Sequence, residues 1–162
     1  MCGICGFAGK VNNSRDVLKT MMDKIAHRGP DDEGMYVDND VAIGHRRLSI
    51  IDLSHGAQPM YNETGDIAIV FNGEIYNHLE IRKDLIAKGH TFANDSDTEC
   101  LIHGYEEYGT ELLGKLRGMF SFVIWDTNKK LIFGARDHFG ISHSIIHCLM
   151  IILYLVLKQK QY

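Results

Sequence analysis

Met1-Cys2-Gly3-Ile4-Cys5-Gly6-Phe7-Ala8-Gly9 opens the chain. From position 2 onward the stretch is small and apolar with three glycines, which reads as a buried strand that lets other backbone approach closely. Its first residue after the initiator is a cysteine, small enough for Met1 to be trimmed. Trimming leaves a thiol and a free α-amino group on one residue. An α-amine has a reference pKa of about 7.7–8.0, so near neutrality a useful fraction is unprotonated and can take the thiol proton, directly or through water. Nucleophile and base then come together at one position. Two plainer readings stand beside this one. Cys2 can be a small buried hydrophobe. Cys2 and Cys5 also form a CxxC spacing, but no second Cys or His pair lies at zinc-finger distance, and strand alternation turns the two side chains to opposite faces.

Working outward, Val17, Leu18, Met21, Met22 and Ile25 recur at helical spacing after Ser14, which is placed to cap the helix. Gly29 and Pro30 stop it. Short β-prone runs at 35–37, 41–45 and 67–71 are bounded by Asp38, Asn39 and Gly65. Residues 79–88 are amphipathic with Gly89 as the C′ residue, and Asp97 can cap a second helix running through Tyr108. A strand at 119–126 turns at Asn128 and returns through 131–136. Strands in hairpin-like groups with helices between them predict an α+β fold of antiparallel sheets covered by helices, not a regular βαβ alternation.

The whole chain has 162 residues, 45% apolar and 23% charged, values that suit a single compact domain with a real core. A net charge of −4, without a run of Lys and Arg, excludes a nucleic-acid footprint. Cysteines at 2, 5, 100 and 148 are too few and too irregular for a disulfide framework, and with no signal peptide the cytoplasm is the expected compartment. The apolar run at 145–157 contains His147 and falls short of the roughly 20 residues a spanning helix needs, so no membrane anchor is expected.

Three further strings can carry chemistry. In FNGEIYN, positions 71–77, the Asn-Gly pair suits a hairpin turn. For acyl transfer, Asn72 instead offers an amide donor and Gly73 an unencumbered backbone N–H, the two elements of an oxyanion hole. In HRRLSIID, Arg46 and Arg47 follow a strand, where a guanidinium can grip an α-carboxylate through two parallel hydrogen bonds or simply form a solvated edge. In DSDTE, Asp97 can pair with a substrate α-ammonium, cap its helix, or do both. His27, His45, His55 and His138 are scattered without metal-ligand spacing, so no metal site is expected.

Taken in order, MCGICG, HRGPDDEG, HRRLSIIDL, GAQPM, FNGEIYN, SDTE, GMFSFVIWD and GARDHFGI resemble the glutaminase domain of the glutamine-hydrolysing asparagine synthetases over residues 1–141. The resemblance implies a four-layer αββα N-terminal-nucleophile hydrolase sandwich of two antiparallel sheets, with L-glutamine as substrate. It implies Cys2 as nucleophile, Asn72 and Gly73 as oxyanion donors and Arg47 as carboxylate clamp. Glu74 and Asp97 then meet the glutamine α-amino end, and backbone from Leu48, Ser49, Ile50 and Ile51 lines the same pocket. The glutaminase step needs no cofactor. ATP and magnesium belong to a synthetase domain, whose SGG-type pyrophosphate loop does not occur in this sequence. Amidotransferases that make glucosamine 6-phosphate or phosphoribosylamine share the chemistry, but GEIYN together with HRGPDDEG and RLSIIDL favours the asparagine-synthetase type. Neither the acceptor amidated nor the oligomeric state follows from these motifs.

The resemblance stops at Ile141, after which residues 142–162 read SHSIIHCLMIILYLVLKQKQY. Codons exist for 143–162 that, with one C in front and the frame moved by one base, encode PFYYTLLDDNTLFGSEAKAI, a family-like ending. The expectation is an out-of-frame tail on a domain lacking its last strands, with low stability and an apolar tail that covers the exposed surface or promotes aggregation. An inactive truncated gene fragment, and a module that holds glutamine without splitting it, are the alternatives.

Overall fold

Alternation along β1 (Gly3–Ala8) sets the layering. Cys5 and Phe7 turn to one side and pack with Leu18, Met22 and Ile25 under α1 (Ser14–Lys24). Ile4 turns to the other, meeting Val41 and Ile43 of β3 (Val41–Arg47) and, across a second layer, Ala68 and Val70 of β5 (Ile67–Ile75) and Val123 and Trp125 of β6 (Gly118–Asp126). The far side of β5 and β6, carrying Ile69, Phe71, Phe122 and Ile124, packs against α2 (His78–Ala87) and α3 (Asp97–Tyr108) through Leu85, Leu101 and Tyr105. Helix, sheet, sheet and helix thus stack in four layers, each interface filled by side chains of one parity. Full burial of an anchor such as Leu18 or Met22, both 0% exposed, stabilises by ~1.5–3 kcal/mol.

The computed structural model describes residues 2–48, 57–141, 144–149 and 152–157, the last two segments as strand backbone. One sheet has the order β2 (Asp32–Val37), β3, β1, β9 (Ile152–Leu157), β8 (Ser144–Leu149). The other runs β4 (Met60–Tyr61), β5, β6, β7 (Leu131–Arg136). Every pairing is antiparallel. Strands β8 and β9 therefore pair on the open side of β1, with Cys5 opposite Val156 and Ala8 opposite Leu153. Strand pairing is made by backbone groups, so an apolar β-prone run can fill an edge.

Three local expectations meet a different structure. Asn13, in a left-handed conformation, precedes α1, while Ser14 donates its Oγ–H to the Val11 carbonyl at 2.7 Å. The cap of α3 is Ser96, whose side chain accepts from the Glu99 N–H at 3.2 Å. Asp97 instead accepts from the Ile75 N–H at 3.0 Å. The Asn72-Gly73 pair is not a hairpin turn. Both residues lie inside β5, opposite Ser121 and Phe120, because nine residues of β-prone sequence on each strand sustain a ladder that a two-residue turn would interrupt.

Candidate active site

Cys2 sits one residue before the Gly3–Arg46 pair that begins the β1–β3 ladder. By parity it shares the face of Ile4, toward the space between the sheets, while Cys5 faces α1. Its Sγ accepts from the Leu48 N–H at 3.4 Å. Arg28, at the end of a 3-10 turn (Ala26–Arg28), donates its Nε–H to the Cys2 carbonyl at 3.1 Å, which holds the start of the chain. Burial lowers the Arg28 pKa, opposed by its electrostatic interaction with Cys2. Cys5 is 0% exposed on the α1 side, and burial pushes its thiol up to about 12, unlike a reactive or metal-binding thiolate.

The same parity separates the two arginines. Arg46 lies on the α1 side, where it bonds Asp23 Oδ1 at 2.7 Å and Glu33 Oε2 at 2.6 Å and donates to the Met22 carbonyl. Arg47, with Val41, Ile43 and His45, belongs to the face between the sheets. On β5, Asn72 continues the line of Ala68 and Val70 and so points toward β1 and β3, and it is buried. Gly73 has φ 148°, and a Cβ there would lie 2.1 Å from the Met119 carbonyl oxygen, so no larger residue fits. Glu74 is exposed next to it, and Asp97 is tied to Ile75 beyond. Burial raises the Asp97 pKa, opposed by the Ile75 N–H and by His78.

His45 joins the two groups. It pairs in the ladder with Ile4, two residues from Cys2, and its ring faces the backbone of Phe71, the neighbour of Asn72. Burial lowers its pKa to about 4, partly offset by Phe71. The Phe71 N–H donates to Gln58 Oε1 at 2.6 Å, which fixes the strand just before Asn72. Of the residues named from sequence, Cys2, Arg47 and Leu48 gather at one end of the first sheet, and Asn72, Gly73, Glu74 and Asp97 along the end of β5. Ser49, Ile50 and Ile51 lie outside the described residues.

Residues 1–146 match the model of the glutamine amidotransferase domain family. The chain belongs to that family. This amidotransferase domain is 48% identical over 147 residues to asparagine synthetase [glutamine-hydrolyzing] 1 of Bacillus subtilis, covering 86% of this chain and 23% of that protein. To asparagine synthetase [glutamine-hydrolyzing] 3 of Arabidopsis thaliana it is 44% identical over 145 residues, covering 88% and 25%. The chain thus spans about a quarter of the length of these curated relatives. In fold it is similar to the glutamine phosphoribosylpyrophosphate amidotransferase of B. subtilis, with a TM-score of 0.79 at 19% identity over 96% of this chain and 41% of that one. The two-sheet sandwich of the amidotransferase domain is therefore an N-terminal-nucleophile hydrolase fold.

Sequence reasoning assigned no role to Arg28, Gln58 or the paired faces of His45. Arg28 lies inside HRGPDDEG and Gln58 inside GAQPM, but their grip on Cys2 and Phe71 is long-range and visible only after folding. Among the described residues no helix of the domain is long and apolar enough to cross a membrane.

Proposed function

We propose that this domain hydrolyses L-glutamine to glutamate and ammonia, as the glutaminase part of an asparagine synthetase, with Cys2 as nucleophile. The observation that carries the reading is the shared parity of Cys2, Arg47 and Asn72, which directs all three into the space between the sheets. Once Met1 is removed, the α-amine of Cys2 takes the thiol proton and Sγ attacks the δ-carboxamide carbon of glutamine. The carbonyl oxygen becomes an oxyanion held by the Asn72 amide and the Gly73 N–H. The C–N bond breaks, and the leaving nitrogen collects the proton from the Cys2 ammonium and departs as ammonia. Water then attacks the γ-glutamyl thioester, giving its proton to the amine, and glutamate leaves with the thiol restored.

Arg47 meets the α-carboxylate of glutamine, while Glu74 and Asp97 meet its α-ammonium. Backbone of Leu48, Ser49, Ile50 and Ile51 lines the pocket wall. Thiol, amine and oxyanion donors suffice for this reaction, so it calls for no metal or organic cofactor; ATP and magnesium serve the synthetase step. Residues 142–162, of which 142–146 still fall within the stretch the family model matches, are taken as a tail departing from the family's motifs, and the cytoplasm as the compartment. Treatment with an electrophilic glutamine analogue tests the assignment. The expected result is one equivalent of adduct mapped by peptide mass to the N-terminal residue, blocked by excess glutamine. Labelling elsewhere, or labelling that glutamine does not block, overturns it.

A further inference from the structure

On the outer helix layer, His103 and Glu106 stand three residues apart on α3 and so share a face. His90, between α2 and α3, lays its ring against His103 with 5.1 Å between centroids. His103 Nδ1 is 2.8 Å from Glu106 Oε2, and His90 Nδ1 is 3.8 Å from the same oxygen. One donor atom from each of the three residues lies within 4.8 Å of the others. The remaining ring nitrogens face carboxylates. His103 Nε2 is 3.6 Å from Glu63 Oε1 and 3.9 Å from Glu99 Oε1, and His90 Nε2 is 3.5 Å from Glu107 Oε2. Glu106 Oε1 in turn accepts from Asn62 Nδ2 at 2.9 Å.

This is how protein ligands of a transition ion are organised. The inner donors converge, and an outer carboxylate behind each imidazole fixes its tautomer and raises its basicity. Tetrahedral zinc takes N and O donors at about 2.0–2.2 Å, which spaces the donors by roughly 3.3–3.5 Å. The separations of 2.8 and 3.8 Å from Glu106 Oε2 bracket that spacing, and with all three donors within 4.8 Å of one another side-chain adjustments of up to about an ångström seat the ion. Four carboxylates, from Glu63, Glu99, Glu106 and Glu107, surround two imidazoles, a balance that a dication offsets. His103 is buried at 2% exposure while Glu106 is open to solvent, giving the ion an anchor and an entrance.

We propose that His90, His103 and Glu106 bind a divalent transition-metal ion of the zinc class, with water in the fourth position. The ion staples α3 to the segment after α2 and, through Asn62, to the β4–β5 turn. It takes no part in glutamine cleavage, and the proposal does not depend on that reading.

The test uses the full chain carrying Cys2→Ala, which removes the amine–thiol chelate at the N-terminus, stripped of metal and titrated calorimetrically with zinc sulfate. The expected result is one saturable equivalent, bound at least ~10-fold more weakly after His90→Ala or Glu106→Gln. Binding after His138→Ala, at an exposed histidine, is expected to be unchanged. Both diagnostic replacements lie at accessible side chains, and circular dichroism verifies their folding. Absence of saturable binding, or equal affinity in all variants, overturns the proposal and leaves the cluster as a network of hydrogen-bonded imidazoles and carboxylates.

Discussion

Asn72 and His45 show how a single side chain is assigned work by its position in the sandwich. Asn72 is buried where the sheets face each other, so Asn72→Ala removes the proposed oxyanion donor without disturbing the helix-side core. The expected loss is about 10²–10³ in kcat with little change in KM, read by glutamate release; an unchanged kcat would remove Asn72 from the oxyanion hole. His45 titrates below its ordinary value because it is buried. The unfolded chain therefore binds this proton more readily, and the stability His45 contributes is complete above pH ~6.5 and drains as pH falls toward about 4. At ~1.4 kcal/mol per pKa unit, the drop from 6.5 to about 4 corresponds to about 3 kcal/mol. Urea midpoints from pH 7 to 4 should fall more steeply for the natural chain than for His45→Asn. Parallel profiles would mean that His45 is not held neutral. His103, raised by its carboxylates, works in the opposite direction, and the variant comparison cancels it.

Helices and strands were largely legible in the sequence because their signals are local. The return strand at 131–136 has the predicted bounds and the helix ending at Tyr108 the predicted C-terminus, since hydrophobic period and glycine punctuation decide both. The exceptions involve partners distant in sequence. Asp97 lost the cap to Ser96 because the Ile75 N–H, far away along the chain, claims its carboxylate. Asn72-Gly73 resembles a turn until Met119 and Phe120 arrive opposite. His103 and Glu106 were not singled out in the sequence, where the histidines carry no metal-ligand spacing, because only the fold brings His90 to them. Ser96→Ala should lower stability by about 1 kcal/mol through the lost N-cap, measured by thermal unfolding. An unchanged midpoint would return the capping role to Asp97.

At the scale of the whole molecule, four layers turn the residues proposed for catalysis toward the space between two sheets and leave β1 dependent on a partner at its second edge. That partner is β9. Deleting residues 142–162 uncovers the backbone of residues 5–8, so faster amide exchange there and a lower thermal midpoint are expected. Unaltered exchange would show that the strand needs no such cover. The site itself was read from motifs, and its geometry follows from parity along three strands. The most direct measurement of the central claim is glutamate formation from L-glutamine by the purified chain and by Cys2→Ala, each with Met1 confirmed removed by mass. Formation by the natural chain and none above background in the variant is the predicted result. Equal formation by both would contradict the assignment of Cys2 as nucleophile.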